Sequence, residues 1–163
     1  MLGELAVRRY FGLDFDLEAD YEKHTVDQGD LVYRGKVYDV KTDAIPQSFF
    51  NRVAQGISKN YEPYAGRVFT ARHLRHVQKY SGGIIFCIYR IPDEEDQEAD
   101  FIRESLLKNG IVIITGYVPR KKITAGKPTW YSPPDPQGHR RKYNSKNFLF
   151  FNRDLQPVSQ LIA

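Results

Sequence analysis

The 163-residue chain is predicted to be an α/β protein, with a mixed central sheet flanked by helices. Three observations point there. Apolar residues recur at helical spacing near the start, at Leu2, Leu5, Ala6 and Tyr10. Two short apolar runs then fold back on each other over a turn at Arg34-Gly35. Further on, Ile84-Ile85-Phe86-Cys87-Ile88-Tyr89 is apolar without interruption, the signature of a strand covered on both faces. Hydrophobic residues make 41% and charged residues 27%, an ordinary globular balance, so residues 1–163 are read as one domain.

Each element follows in turn. The helix spans 2–11, with Gly12 as a left-handed stop. Glu4 lies at the edge of its apolar stripe, where pairing with Arg8 at i,i+4 is the ordinary role. Asp14 to Asp27 is acidic and irregular, a surface loop. The hairpin 30–42 is the most informative stretch. A two-residue loop pairs Tyr33 with Lys36, Val32 with Val37 and Leu31 with Tyr38, which sets Asp30 opposite Asp39. Opposed carboxylates repel, and a cation between them removes that penalty. Asp39 and Lys41 are two apart on one strand and share a face, while Tyr38 and Val40 take the other. The same residues also read as a solvated hairpin, polar outside and apolar inside.

Gln47 to Ser58 is predicted helical, with Phe49, Phe50 and Val53 on one side and Pro46 at its start. Tyr61 to Gly66 is turn-rich. Arg67 to Thr70 is a short strand, or the approach to a helix over 71–80. That helix carries His73 and His76 with Arg72 and Arg75, a face read as phosphate-contacting rather than zinc-binding, a plain exposed face being the alternative. Ser81-Gly82-Gly83 breaks the chain before strand 84–91. Pro92 to Asp100 is a solvated acidic loop, Phe101 to Lys108 a helix and Ile111 to Val118 a strand. Gly126 to Tyr143 is a long Pro/Gly-rich loop, a length that points to function or mobility. Ser145 to Asn152 is a last strand, and Pro157 to Ile162 a tail. Phe148-Leu149-Phe150-Phe151, apolar on both faces, fits either a central strand or an edge that pairs with a second subunit.

In this order and at these spacings, Glu4, Gly29-Asp30 and Asp39-Val40-Lys41 resemble the PD-(D/E)XK nuclease superfamily, which includes restriction endonucleases, Holliday-junction resolvases and some homing endonucleases. The motif covers the first 45 residues or so and the element order about the first 90. Gly29 stands where the eponymous pattern has proline, and no Q-x-x-x-Y exonuclease motif is present. The resemblance implies a restriction-endonuclease-like core and a single nuclease-like domain. It implies Mg²⁺, with Mn²⁺ as substitute, held by Asp30, Asp39 and the Val40 carbonyl. Lys41 then orients or deprotonates the attacking water, and Glu4 supports metal or water. Mg²⁺ takes one or two carboxylates with water and phosphate oxygens, which suits this donor set; His/Cys ligands would have suggested zinc.

Charge adds a second strand to the argument. Residues 1–60 carry 8 Lys/Arg against 10 Asp/Glu, whereas residues 105–163 carry 10 against 2. Arg120-Lys121-Lys122 and Arg140-Arg141-Lys142 form two dense clusters in a basic region of about 119–146, the footprint of a phosphate-backbone binder. Trp130, Tyr131 and Tyr143 interleave with them and suit base stacking, or serve as loop anchors. The implied function is therefore a Mg²⁺-dependent DNA endonuclease, the alternative being a catalytically inactive nucleic-acid-binding module of the same fold. A weaker third reading is a subunit docking an acidic protein. Cutting both strands of a duplex calls for two sites, which raises a homodimer or higher homo-oligomer as an option. One cysteine, Cys87, excludes a disulfide framework and is read as a buried thiol. No signal peptide and no span of about 20 apolar residues is seen, so no membrane partner and a cytoplasmic location are expected.

Overall fold

The structure, a computed structural model, describes residues 2–14, 30–71, 79–91 and 110–163. It is a mixed α/β fold with two sheets. The first sheet contains β1 (Leu31–Tyr33), β2 (Lys36–Pro46), β4 (Gly83–Ile91) and β5 (Val112–Pro119) in the order β1-β2-β4-β5. β2 runs parallel to β4, and the other pairs are antiparallel. The second sheet is antiparallel, β3 (Gly66–Thr70) and β6 (Thr129–Tyr131) on either side of β7 (Lys142–Phe151).

The β1–β2 hairpin turns where two residues can take a left-handed backbone. Arg34 has φ 47° and Gly35 φ 71°, the pair of positive angles whose twist matches antiparallel strands. The register is Leu31 with Tyr38, Val32 with Val37 and Tyr33 with Lys36, as the two-residue loop predicts.

Strand alternation gives the first sheet two unlike faces. Tyr38, Val40, Ile85 and Cys87 pack with Val7 of α1 (Leu2–Tyr10). The helix approaches closely because Gly3 has no side chain; a Cβ there would run into Thr42 Oγ1 on β2. On the opposite face, Ile84 and Phe86 pack with Phe69, Phe148 and Phe150 of the second sheet and Ile123 of a short helix, Arg120–Ala125. Further along that face Ile45 and Ile88 receive Phe50 and Val53 of the helix Gln47–Ala54. Helices thus flank the first sheet on both faces. In chain order Gln47–Ala54 is α2 and Arg120–Ala125 is α3.

Several expectations are corrected here. The sheet is not single: part of the predicted long loop, Gly126 to Tyr143, is strand β6, and the last strand begins at Lys142 rather than Ser145. The basic region 119–146 is not all loop, since it opens with α3. α2 stops at Ala54, because Gly56 turns the chain with φ 68°. Phe148 to Phe151 lies in the middle strand of the second sheet and pairs with β3, whereas β6 pairs with the earlier part of β7, Lys142 to Asn147. The tail is part of the core: Tyr117 and Gln156 exchange two backbone hydrogen bonds of 2.9 Å, and Val158 is buried beside Val7. Cys87 is buried as expected, and burial pushes its thiol up to about 12. Among the described residues no helix is long and apolar enough to cross a membrane.

Candidate active site

β2 carries Asp39, Lys41 and Asp43 at alternate positions, so all three project from the face that the second sheet partly covers. Coverage is graded along the row. The Asp39 side chain is 4% exposed, that of Lys41 42% and that of Asp43 47%. Lys41 Nζ donates to Asp39 Oδ1 at 2.9 Å and lies 2.8 Å from Oδ2, with geometry that favours the first oxygen. Asp39 Oδ2 therefore sits buried without a well-directed hydrogen bond among the described residues. A buried carboxylate oxygen in that condition costs stability unless something else completes it.

Asp30 supplies the second carboxylate. Its backbone N–H donates to the Tyr38 carbonyl at 3.0 Å, just beyond the last regular pair of the hairpin, and its Oδ2 accepts the Val40 N–H at 2.6 Å. Burial pushes the Asp30 carboxyl up to about 6; the Val40 N–H opposes this, and the nearby Asp39 charge and a hydrogen bond to Asp39 add to it. Two carboxylates in contact repel, so the charge on Asp39 makes the Asp30 carboxyl easier to protonate. The lysine cation is too exposed to reverse the balance.

Asp43 and Arg67 extend the row, and neither was singled out from the sequence as functional. Arg67 Nη1 donates to Asp43 Oδ2 at 2.8 Å from β3, linking the two sheets. The Arg67 side chain is 2% exposed, and among the described residues its Nε has no partner. Burial pulls the guanidinium below its usual range while Asp43 resists. The alternation D-x-K-x-D on β2 was the available signal for Asp43. For Arg67 it was the placement one alternate position before Phe69.

The other predicted site residues divide cleanly. Asp30, Asp39, Val40 and Lys41 converge. Glu4 lies in the first turn of α1, on the helix that covers the opposite face of β2, and among the described residues no three His, Cys, Asp or Glu side chains form a group able to hold a metal ion. Arg72 and Arg75, with His73 and His76, lie outside the described residues, as do most of the Asp14–Asp27 stretch, the acidic segment from Pro92 and the helix predicted after it. Arg120, Lys121 and Lys122 open α3, with Lys122 Nζ donating to the Asp154 carbonyl at 2.9 Å. Arg140, Arg141 and Lys142 are exposed where the β6–β7 connection enters β7. That connection is built around Asp135, whose Oδ1 accepts the N–H groups of Gln137 and His139.

Comparison with protein families, with characterised proteins and with solved structures finds no match to this chain.

Proposed function

We propose that the chain is a Mg²⁺-dependent DNA endonuclease whose chemistry runs on Asp30, Asp39 and Lys41. The observation that carries the reading is the convergence of a buried and a half-buried carboxyl on a half-exposed lysine, with one oxygen of Asp39 lacking a directed partner among the described residues. A divalent cation between the two carboxylates would complete Asp39 Oδ2 and relieve the contact between the two acids. Two carboxylates and the Val40 carbonyl satisfy the modest protein donor set Mg²⁺ takes. When bound, the cation would neutralise phosphate charge and make its water a stronger nucleophile.

The residues of the chain do the rest. Asp30 and Asp39 hold the cation, and the Val40 N–H fixes the Asp30 carboxylate while the Val40 carbonyl adds a third donor. Lys41, with solvent on one side and Asp39 on the other, orients the attacking water, and could take its proton only after releasing one of its own to solvent. Glu4, in the first turn of α1, would support metal or water. The basic residues Arg120, Lys121, Lys122, Arg140, Arg141 and Lys142 hold the DNA backbone. The alternative, an inactive nucleic-acid-binding module, is favoured by the Lys41–Asp39 ion pair, which satisfies both charges without a metal.

Cleavage of supercoiled plasmid and of a labelled four-way junction separates the two. Nicking or resolution in Mg²⁺ is expected, lost in Asp39→Ala and Lys41→Ala proteins that still bind DNA in Ca²⁺. Binding without cleavage by wild-type protein on either substrate would favour the inactive module.

A further inference from the structure

The outer face of the second sheet is built for contact. Val68, Leu149 and Phe151 alternate with the buried Phe69, Phe148 and Phe150 and line a cleft of about 840 Å³. Tyr61 and Tyr64 stand at this cleft. Tyr131 lines an adjoining hollow of about 580 Å³ that shares Tyr61, Arg140 and Phe151 with it. The three tyrosines are between 40% and 43% exposed. Tyr64 is held in a left-handed backbone, φ 60°, which an aromatic residue seldom adopts, and Asn152 Nδ2 donates to its carbonyl at 2.9 Å.

Each of three rings carries a cation. Lys59 Nζ lies 5.7 Å from the Tyr61 ring, Arg140 5.9 Å from Tyr131 and Arg153 6.0 Å from Phe151. The two acids of the cleft wall are already engaged. Glu62 accepts Arg52 at 2.8 Å and the Lys59 N–H at 3.0 Å, and Asp135 is held by its own turn. The charge left for a partner is positive.

Rings beside cations match one occupant. Unstacked bases lie on aromatic faces while the phosphates between them meet Lys and Arg. A duplex hides its base faces and would use the cations alone. We propose that this cleft binds single-stranded DNA, with bases on Tyr61 and Tyr131 and phosphates on Lys59, Arg140, Arg141 and Arg153. The choice of DNA rests on the nuclease reading; the arrangement of rings and cations does not depend on the active site.

The test is fluorescence anisotropy with labelled oligo(dT) and with a duplex of equal length, in Ca²⁺ so that no cleavage intervenes. Wild-type protein is expected to prefer oligo(dT). Tyr61→Ala and Tyr131→Ala should each weaken it by about tenfold, with duplex binding little changed, and Tyr131→Trp should retain it. The proposal is overturned if both alanine proteins bind oligo(dT) like wild type, or if oligo(dT) and duplex lose affinity equally. It is also overturned if polyglutamate competes as well as oligo(dT), or if the tyrosine changes instead abolish self-association in sedimentation. An Asp39→Ala protein should bind oligo(dT) like wild type. Failure of the nuclease reading would appear separately, as binding intact and cleavage absent.

Discussion

The two sheets carry opposite kinds of chemistry, and burial is the difference between them. On β2 of the first sheet, carboxyls are withdrawn from water, and the result is a raised Asp30 pKa and an Asp39 oxygen without a directed partner. On the outer face of the second sheet, rings and cations stay in water. Groups under electrostatic strain suit bond-breaking; groups at ease in solvent suit reversible contact. Arg67 joins the two, buried under one sheet and anchored on the other's Asp43.

The sharpest way to break the contrast is at the strained end. Asp39→Ala should reduce Mg²⁺-dependent cleavage by about three orders of magnitude or more, because it removes a cation donor and the partner of Lys41. DNA affinity in Ca²⁺ should stay within about twofold of wild type. Gel cleavage and anisotropy on the same protein check both halves.

The Asp43–Arg67 pair tests burial directly, since its two partners differ so much in exposure. Asp43→Asn leaves a buried guanidinium without a counter-charge. It should cost about 2–3 kcal/mol in urea unfolding, less than for a fully buried pair because Asp43 is half in water. Arg67→Met returns Asp43 to solvent and fills the same space with apolar atoms, for a change of about 1 kcal/mol or less in either direction. Equal costs would mean that the pair is not governed by burial.

Asp30 gives a pH signature. Its folded pKa of about 6 is above the unfolded 3.8, so the folded state binds more protons between those values. Its contribution is therefore fully present below about pH 4 and lost as pH rises through about 6. Asp30→Asn, which keeps an acceptor for the Val40 N–H, should stabilise the metal-free protein by about 1–3 kcal/mol at pH 7.5. The gain should be near zero at pH 4. Thermal denaturation at both pH values in EDTA checks it.

The smallest effect belongs to the solvated end. Arg153→Ala removes one exposed cation above Phe151. It should weaken oligo(dT) binding about two- to fivefold and lower the salt slope by about one. A larger loss would move Arg153 from the rim of the cleft to its centre.

The first sheet was legible because its signals are local. The hairpin register follows from a two-residue turn flanked by alternating side chains, and β4 from an uninterrupted apolar run. The convergence of Asp30, Asp39 and Lys41 comes with that register. The second sheet was legible only in part: Arg67 to Thr70 and Ser145 to Asn152 read as strands and form β3 and most of β7. β6 is three residues long, set among Pro and Gly, and the start of β7 at Lys142 is fixed only by pairing across the β6–β7 loop. Arg67 was hidden because a charged residue at a strand start looks exposed until the opposing sheet is placed over it. For Glu4 only the order along the chain was available, because nothing local fixes how the helix that carries it lies against β2.

The packing of Val158 beside Val7 has a consequence for how the molecule is made. One core is completed by residues from the two extremes of the sequence, and β2 finds its parallel partner only after some forty intervening residues. During vectorial synthesis the α1 face must wait, half-covered, until Val158 emerges from the ribosome. Such non-local closure makes for slow folding and leaves Val40, Ile85 and Cys87 exposed to misassociation in the interval. A ribosome-stalled chain ending before Gln156 should be protease-sensitive in α1 even when β1 and β2 have already formed.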